Sequence, residues 1–191
     1  MRRKKGLARM QLTKQENKAL CERFPFLIPT NAWSGRRITD GAGFWPGDPD
    51  HIPEYDWEYT ELDNMPDGWR IAFGEALCEE LKAALDAVGY TDKYRIVQIK
   101  EKYGFLHWYD GGNTKEGYQV ISKYEEISKR TCIYCGEPVT LISTGWISPY
   151  CDCCASKIMR YERFVPIDEW YDEKPCDEGE SENGETDSAE D

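Results

Sequence analysis

Two Cys-x2-Cys pairs, Cys132-Ile-Tyr-Cys135 and Cys151-Asp-Cys-Cys154, stand fifteen residues apart and constrain the C-terminal half of this chain more than any other feature. Each pair turns two thiolates toward one point, and two pairs complete a tetrahedron with metal–sulfur bonds of about 2.3 Å. The spacing predicts one zinc ion held by Cys132, Cys135, Cys151 and Cys154. Cys153 offers a competing ligand, but adjacent Cys153 and Cys154 cannot both reach one ion without strain. Four thiolates leave no position for water, so the metal is expected to be structural and to supply folding energy to a segment with little core of its own. Gly136 suits the tight backbone after the first pair. Between the pairs, Val139–Ser143 and Trp146–Ser148 flank Thr144-Gly145 and read as a short hairpin of zinc-ribbon type.

Eight cysteines would also suit a disulfide framework, so the compartment matters. The N-terminus is basic with no apolar block behind it, and no run approaches the roughly 20 apolar residues that span a bilayer. A cytoplasmic protein with reduced thiols and no membrane contact is expected, with Cys21, Cys78 and Cys176 carrying no metal-binding pattern. The net charge of −12 is uneven: residues 1–14 carry +6, residues 172–191 carry −9, and the body between them is still −9. An acidic body argues against phosphate-backbone binding by the surface as a whole, while a local basic patch stays open. Residues 172–191 have almost nothing to bury and are expected to form a disordered acidic tail.

Residues 12–23 read as a short helix with a capping box, Thr13 at the N-cap and Glu16 three residues on. From Phe24 to Pro66, repeated Pro and Gly leave little room for regular structure, yet Trp33, Phe44, Trp45, Tyr55, Trp57 and Tyr59 imply an ordered loop wrapped on the core. After Pro66 the period turns helical: Trp69, Phe73, Leu77, Leu81, Leu85 and Val88 share a face, and Gly89 sits where a left-handed C′ residue belongs. Tyr94–Lys100 and Phe105–Tyr109 read as an antiparallel hairpin closed by Glu101-Lys-Tyr-Gly104. Asn113 with Glu116 suggests a second capping box, opening a helix marked by Tyr118, Ile121, Tyr124 and Ile127. The expected class is α+β: a basic flexible N-terminus (1–11), a short helix and aromatic-rich ordered loop (12–65), a helix, β-hairpin, helix core (66–130), a C-terminal four-cysteine zinc ribbon with the segment after it (131–171), and the disordered acidic tail (172–191).

The chain carries no nucleophile elbow, Walker A or dinucleotide fingerprint, and its two histidines, His51 and His107, sit in no catalytic pattern. Gln98-Ile-Lys100 with Asp92 has the bare outline of a metal-dependent nuclease, and Glu58, Glu61, Asp63 and Asp67 form an acidic run before the long helix. The hairpin mixes aromatic and basic residues, which makes Arg95, Lys100, Lys102, Tyr103, His107 and Trp108 candidate contacts to nucleic acid or to a protein partner.

The combination of Val97-Gln-Ile-Lys-Glu-Lys-Tyr-Gly-Phe-Leu-His-Trp-Tyr109, Ile127-Ser-Lys-Arg-Thr-Cys132 and Gly145-Trp-Ile-Ser-Pro-Tyr-Cys-Asp-Cys-Cys154 resembles a set of small, mostly uncharacterised proteins of phages, prophages and other mobile elements. Members share the strand pair, the helix and the cysteine ribbon over about residues 66–155; where relatives carry Arg, this chain has His107. The resemblance implies a mobile-element origin and zinc at the same four cysteines, and no reaction. The expected function is a non-enzymatic, zinc-stabilised interaction protein that inhibits or modulates a host nucleic-acid-acting defence complex such as a CRISPR-Cas effector. The alternatives are a zinc-ribbon nucleic-acid-binding adaptor and, behind it, a metal-dependent nuclease.

Overall fold

Thr13 opens the first helix, α1 (Lys14–Arg23), with the reciprocal capping box the sequence predicts: its hydroxyl accepts from the Glu16 N–H, and the Glu16 carboxylate accepts from the Thr13 N–H. The structure is a computed structural model and describes residues 12–31, 34–40 and 55–172. The expectations for residues 1–11, for Trp33, Phe44, Trp45, His51 and Cys176, and for the tail beyond Asp172 fall outside these residues. No helix among the described residues is long and apolar enough to cross a membrane.

The segment expected to wrap the core is instead part of it where it is described. A 3-10 turn at Pro25–Leu27 and another at Glu61–Asn64 bring Phe24, Phe26, Leu27, Leu62 and Met65 into the same buried cluster as the long helix. Beneath them lies a polar knot. Asp63 accepts from Asn17, from the Thr60 N–H and from Arg70, and Arg70 also donates to Asp67. Arg70 is buried, so these carboxylates are its compensation for lost hydration.

The long helical run after Pro66 is built of α2 (Asp67–Trp69), a π-helical segment (Arg70–Gly74) and α3 (Glu75–Asp86). Trp69, Phe73, Leu77, Leu81 and Leu85 are buried as their spacing predicts. Val88 is not: the helix ends at Asp86, Gly89 takes φ +65°, and the turn swings Val88 into solvent.

Strands β1 (Ile96–Lys102) and β2 (Phe105–Asp110) form the hairpin, pairing Ile99 with Trp108 and Lys102 with Phe105. Strand β1 runs two residues further toward the turn than the sequence suggests. The turn is therefore Tyr103-Gly104, both with positive φ, the backbone that matches strand twist in a two-residue hairpin loop. Helix α4 (Lys115–Lys129) starts one residue later than expected. Its N-cap is Thr114, accepting from the Gly117 N–H, while Asn113 donates its amide to Asp110, so the Asn113–Glu116 capping box does not form. The helix also rotates: Gly117, Ile121, Tyr124 and Ser128 face inward, and Tyr118 and Ile127 face out. Two side chains on α4 close the free edge of the sheet, Ser128 Oγ accepting from the Leu106 N–H at 2.8 Å and Glu125 Oε1 from the Trp108 N–H at 3.1 Å. An open edge is a pairing hazard, and the helix covers the one on β2.

The last module is a three-stranded sheet in the order β4-β3-β5, from β3 (Leu141–Ser143), β4 (Ser148–Tyr150) and β5 (Phe164–Pro166), all antiparallel. Its β3–β4 hairpin is shorter than the sequence suggests, and Trp146 lies in the connecting loop rather than on a strand. The short helices α5 (Asp152–Ser156) and α6 (Ile167–Asp172) complete it. The architecture is mixed helix and sheet, with a cysteine cluster where the helical core meets the small sheet.

Candidate metal centre

Three pieces of backbone place the four cysteines. Helix α4 ends at Lys129 and delivers the chain to Cys132; the turn at residues 133–135, closed by the Gly136 N–H donating to the Cys132 carbonyl at 3.0 Å with Gly136 at φ +80°, brings Cys135 back beside it. Strand β4 then ends at Tyr150, so that Cys151 caps α5 and Cys154 sits one turn inside it. The four sulfur atoms all lie within 4.8 Å of one another. Cys135 Sγ and Cys151 Sγ are 3.5 Å apart, far beyond the ~2.05 Å of a disulfide and close to the ~3.8 Å edge of a tetrahedron with 2.3 Å bonds. All four thiols are free. The donor set and spacing therefore fit a four-coordinate metal ion. Cys153 is exposed and outside the cluster, as its position in the sequence predicts.

Burial pushes the Cys135 and Cys154 thiols up from their ordinary value. At Cys151 burial acts the same way, but the Cys154 N–H and the neighbouring sulfurs outweigh it and hold that thiol down. Metal binding takes the thiolate form, so a cation bound here would release the thiol protons and offset the burial of the sulfurs' charge.

The cluster is bolted to the helical core. The Gly68 N–H donates to the Ile133 carbonyl at 2.9 Å, and the Trp69 indole N–H donates to the Thr131 carbonyl at 2.8 Å. The fit leaves no room for side chains: a Cβ on Gly68 would lie 2.1 Å from the Cys132 oxygen, and one on Gly136 would lie 2.7 Å from the Gly68 oxygen. The first cysteine turn thus packs backbone to backbone on the start of α2. Nothing local in the sequence marks Gly68 for this contact, since its partner Cys132 lies 64 residues on and only the tertiary fold brings the two together.

The candidate contact residues divide. Trp108 lies in the core at 5 % exposure, its indole N–H donating to the Tyr94 hydroxyl, so it offers no contact surface. Arg95 donates to the carbonyls of Asp92 and Tyr94 and braces the approach to β1. Lys100, Lys102, Tyr103 and His107 do reach the outer face or tip of the hairpin. There His107 stacks between Phe105 and Tyr109, and Lys100 and Lys129 lie over the two outer rings. This row is closed on itself, each ring being covered by a neighbour or an ammonium group.

Of the residues in the nuclease outline, Lys100 donates to Gln98 at 2.7 Å, and among the described residues the four cysteines are the group of three or more His, Cys, Asp or Glu side chains at metal-binding distance. The acidic run is dispersed into local roles: Glu58 pairs with Lys14, Asp63 and Asp67 with Arg70, and Glu61 accepts from Asn64. Burial pushes the Glu61 carboxyl up to about 7. No protein-family model, curated protein or solved structure matches this chain.

Proposed function

We propose that the chain is a non-enzymatic interaction protein in which one zinc ion, held by Cys132, Cys135, Cys151 and Cys154, locks a binding module onto a helical core, and that its partner is a nucleic-acid-acting complex. The observation that carries the reading is the position of the cysteine cluster. Its first turn sits against the start of α2 with only glycine backbone between, where an ion fixes tertiary structure. Four thiolates leave no place for a substrate or an activated water. Zinc suits such a site because it is redox-inert and takes tetrahedral thiolate ligation without geometric preference. The acidic body supports a basic partner surface of the kind that lines nucleic-acid channels, such as that of a CRISPR-Cas effector, since opposite potentials steer association.

The test uses the purified full-length chain. It is expected to carry zinc at one ion per chain, to cleave neither DNA nor RNA with magnesium or manganese, and to form a complex with a purified effector at micromolar concentration or better. Divalent-metal-dependent cleavage that disappears in Lys100→Ala would overturn the reading. So would a failure to bind any such complex.

A further inference from the structure

Three loops from distant parts of the sequence meet at one end of the molecule. The β1–β2 turn carries Tyr103 and Gly104; the β3–β4 loop carries Trp146 and Ile147; the segment after α5 carries Lys157, Met159, Arg160, Tyr161 and Arg163. Ile147 packs so close to Gly104 that a Cβ there would lie 3.0 Å from its methyl group. The Thr144 N–H donates to the Arg163 carbonyl at 2.9 Å, which ties the third loop to the second. An open hollow of about 430 Å³ lies between the second and third loops, lined by Gly145, Met159, Arg160, Tyr161, Glu162 and Arg163.

Trp146 is the unusual residue here. It is 68 % exposed, yet its ring is not loose: its indole N–H donates to Glu101 Oε2 at 3.0 Å, and Glu101 Oε1 is held in turn by the Gly104 N–H at 2.8 Å. A large ring fixed in place with its faces in water contributes little to folding and is pre-organised for a partner. Tyr103 and Tyr161, 68 % and 71 % exposed, stand on the flanking loops, each beside a cation: Lys102 Nζ lies 5.1 Å from the Tyr103 ring and Arg160 Cζ 5.3 Å from the Tyr161 ring. Among the described residues Lys102, Lys157, Arg160 and Arg163 enter no ion pair. Many cations elsewhere on this surface do, as at Lys14, Arg23, Lys82, Lys123 and Lys129.

We propose that this end of the molecule binds a single-stranded nucleic acid, with bases stacked on Trp146, Tyr103 and Tyr161 and phosphates met by Lys102, Arg160 and Arg163. The proposal rests on the reading of the chain as a non-enzymatic interaction protein of nucleic-acid-acting machinery and names the strand as the ligand at this surface. Exposed rings interleaved with unpaired cations suit unstacked bases on a polyanion, because stacking needs a free face and the phosphates need a cation nearby. A duplex keeps its bases stacked and would use only the cations. The net charge of −9 on residues 15–171 disfavours a polyanion on the body's surface as a whole, so a strand needs a local group of cations such as this one.

The experiment is fluorescence anisotropy of the full-length zinc-loaded protein with labelled single strands of about 16 nucleotides, DNA and RNA, against the matching duplex and a polyglutamate peptide. The single strand is expected to bind best. Trp146→Ala should weaken it about tenfold or more while Trp146→Phe retains most of the affinity. The double variant Arg160→Ala/Arg163→Ala should lower the slope of log affinity against log salt by about 1.4. Zinc content, thermal transition and effector binding are measured on the same samples. If those match wild type and no single strand binds, if the duplex or polyglutamate binds as well, or if Trp146→Ala binds unchanged, this proposal is overturned while the wider reading stands. Loss of zinc or of effector binding in the wild-type protein strikes the wider reading instead.

Discussion

The backbone of Gly68 touches the backbone of Cys132, with 2.1 Å between the place a Cβ would occupy on the first and the carbonyl oxygen of the second. Metal module and helical core are joined at that point. Gly68→Ala must push the first cysteine turn off α2, because the obstructing atom is main chain rather than a flexible side chain. The variant is expected to lose about 2–4 kcal/mol in urea unfolding and to release zinc to a chelator faster than wild type. Gly89→Ala, whose Cβ would meet nothing, is the control: it carries only the strain of a left-handed residue, about 1 kcal/mol.

Arg70 is buried against Asp63 and Asp67, and Asp63 also ties α1 to the Thr60 turn. Arg70→Met should destabilise the fold by about 3–5 kcal/mol, since it strands two buried carboxylates. Pairing it with Asp63→Asn should recover part of that loss. Denaturant titration of both variants measures the coupling, and equal stability of the single and double variants would show that the carboxylates are not desolvated.

Ser128 Oγ accepts from the Leu106 N–H at the sheet edge. Ser128→Ala leaves that donor buried and unmet, at about 1–3 kcal/mol. Hydrogen exchange should report it directly, with the Leu106 amide on β2 losing protection before the amides bonded between β1 and β2.

Glu61 gives the fold a pH dependence. Its carboxyl titrates near 4.5 when unfolded and is pushed up to about 7 in the fold by burial. The folded state therefore holds a proton that the unfolded state gives up, so this contribution is complete below about pH 4.5 and is lost as pH rises through 7. Stability should fall by about 3 kcal/mol across that window, and Glu61→Gln should flatten the curve. Wild-type and Glu61→Gln profiles that run parallel between pH 5 and 7 would contradict the assignment.

What the sequence made legible were features set by near neighbours. The four cysteines, the Thr13–Glu16 capping box, the buried face of α3 and the positive φ of Gly89 and Gly104 all follow from spacing or from one residue's chemistry. The misses share a different cause. Asn113 and Thr114 both suit an N-cap, and the choice turned on Asp110 claiming the Asn113 amide from outside the helix. Strand β5 is three residues long and exists only because β3 has a free edge. Trp108 looked like a binding residue by its neighbours and is core by the pleat of β2, whereas Trp146 and Tyr161 gained their setting from loops that only the fold brings together.

The central claim is the metal clasp, and zinc analysis of cysteine variants tests it most directly. Elemental analysis with native mass spectrometry should find one zinc per wild-type chain, one in Cys153→Ser, and none in Cys151→Ser, which should also lose the order of the three-stranded sheet. A metal-free folded wild type, or a Cys151→Ser chain that keeps both its zinc and its fold while Cys153→Ser loses them, would contradict the claim.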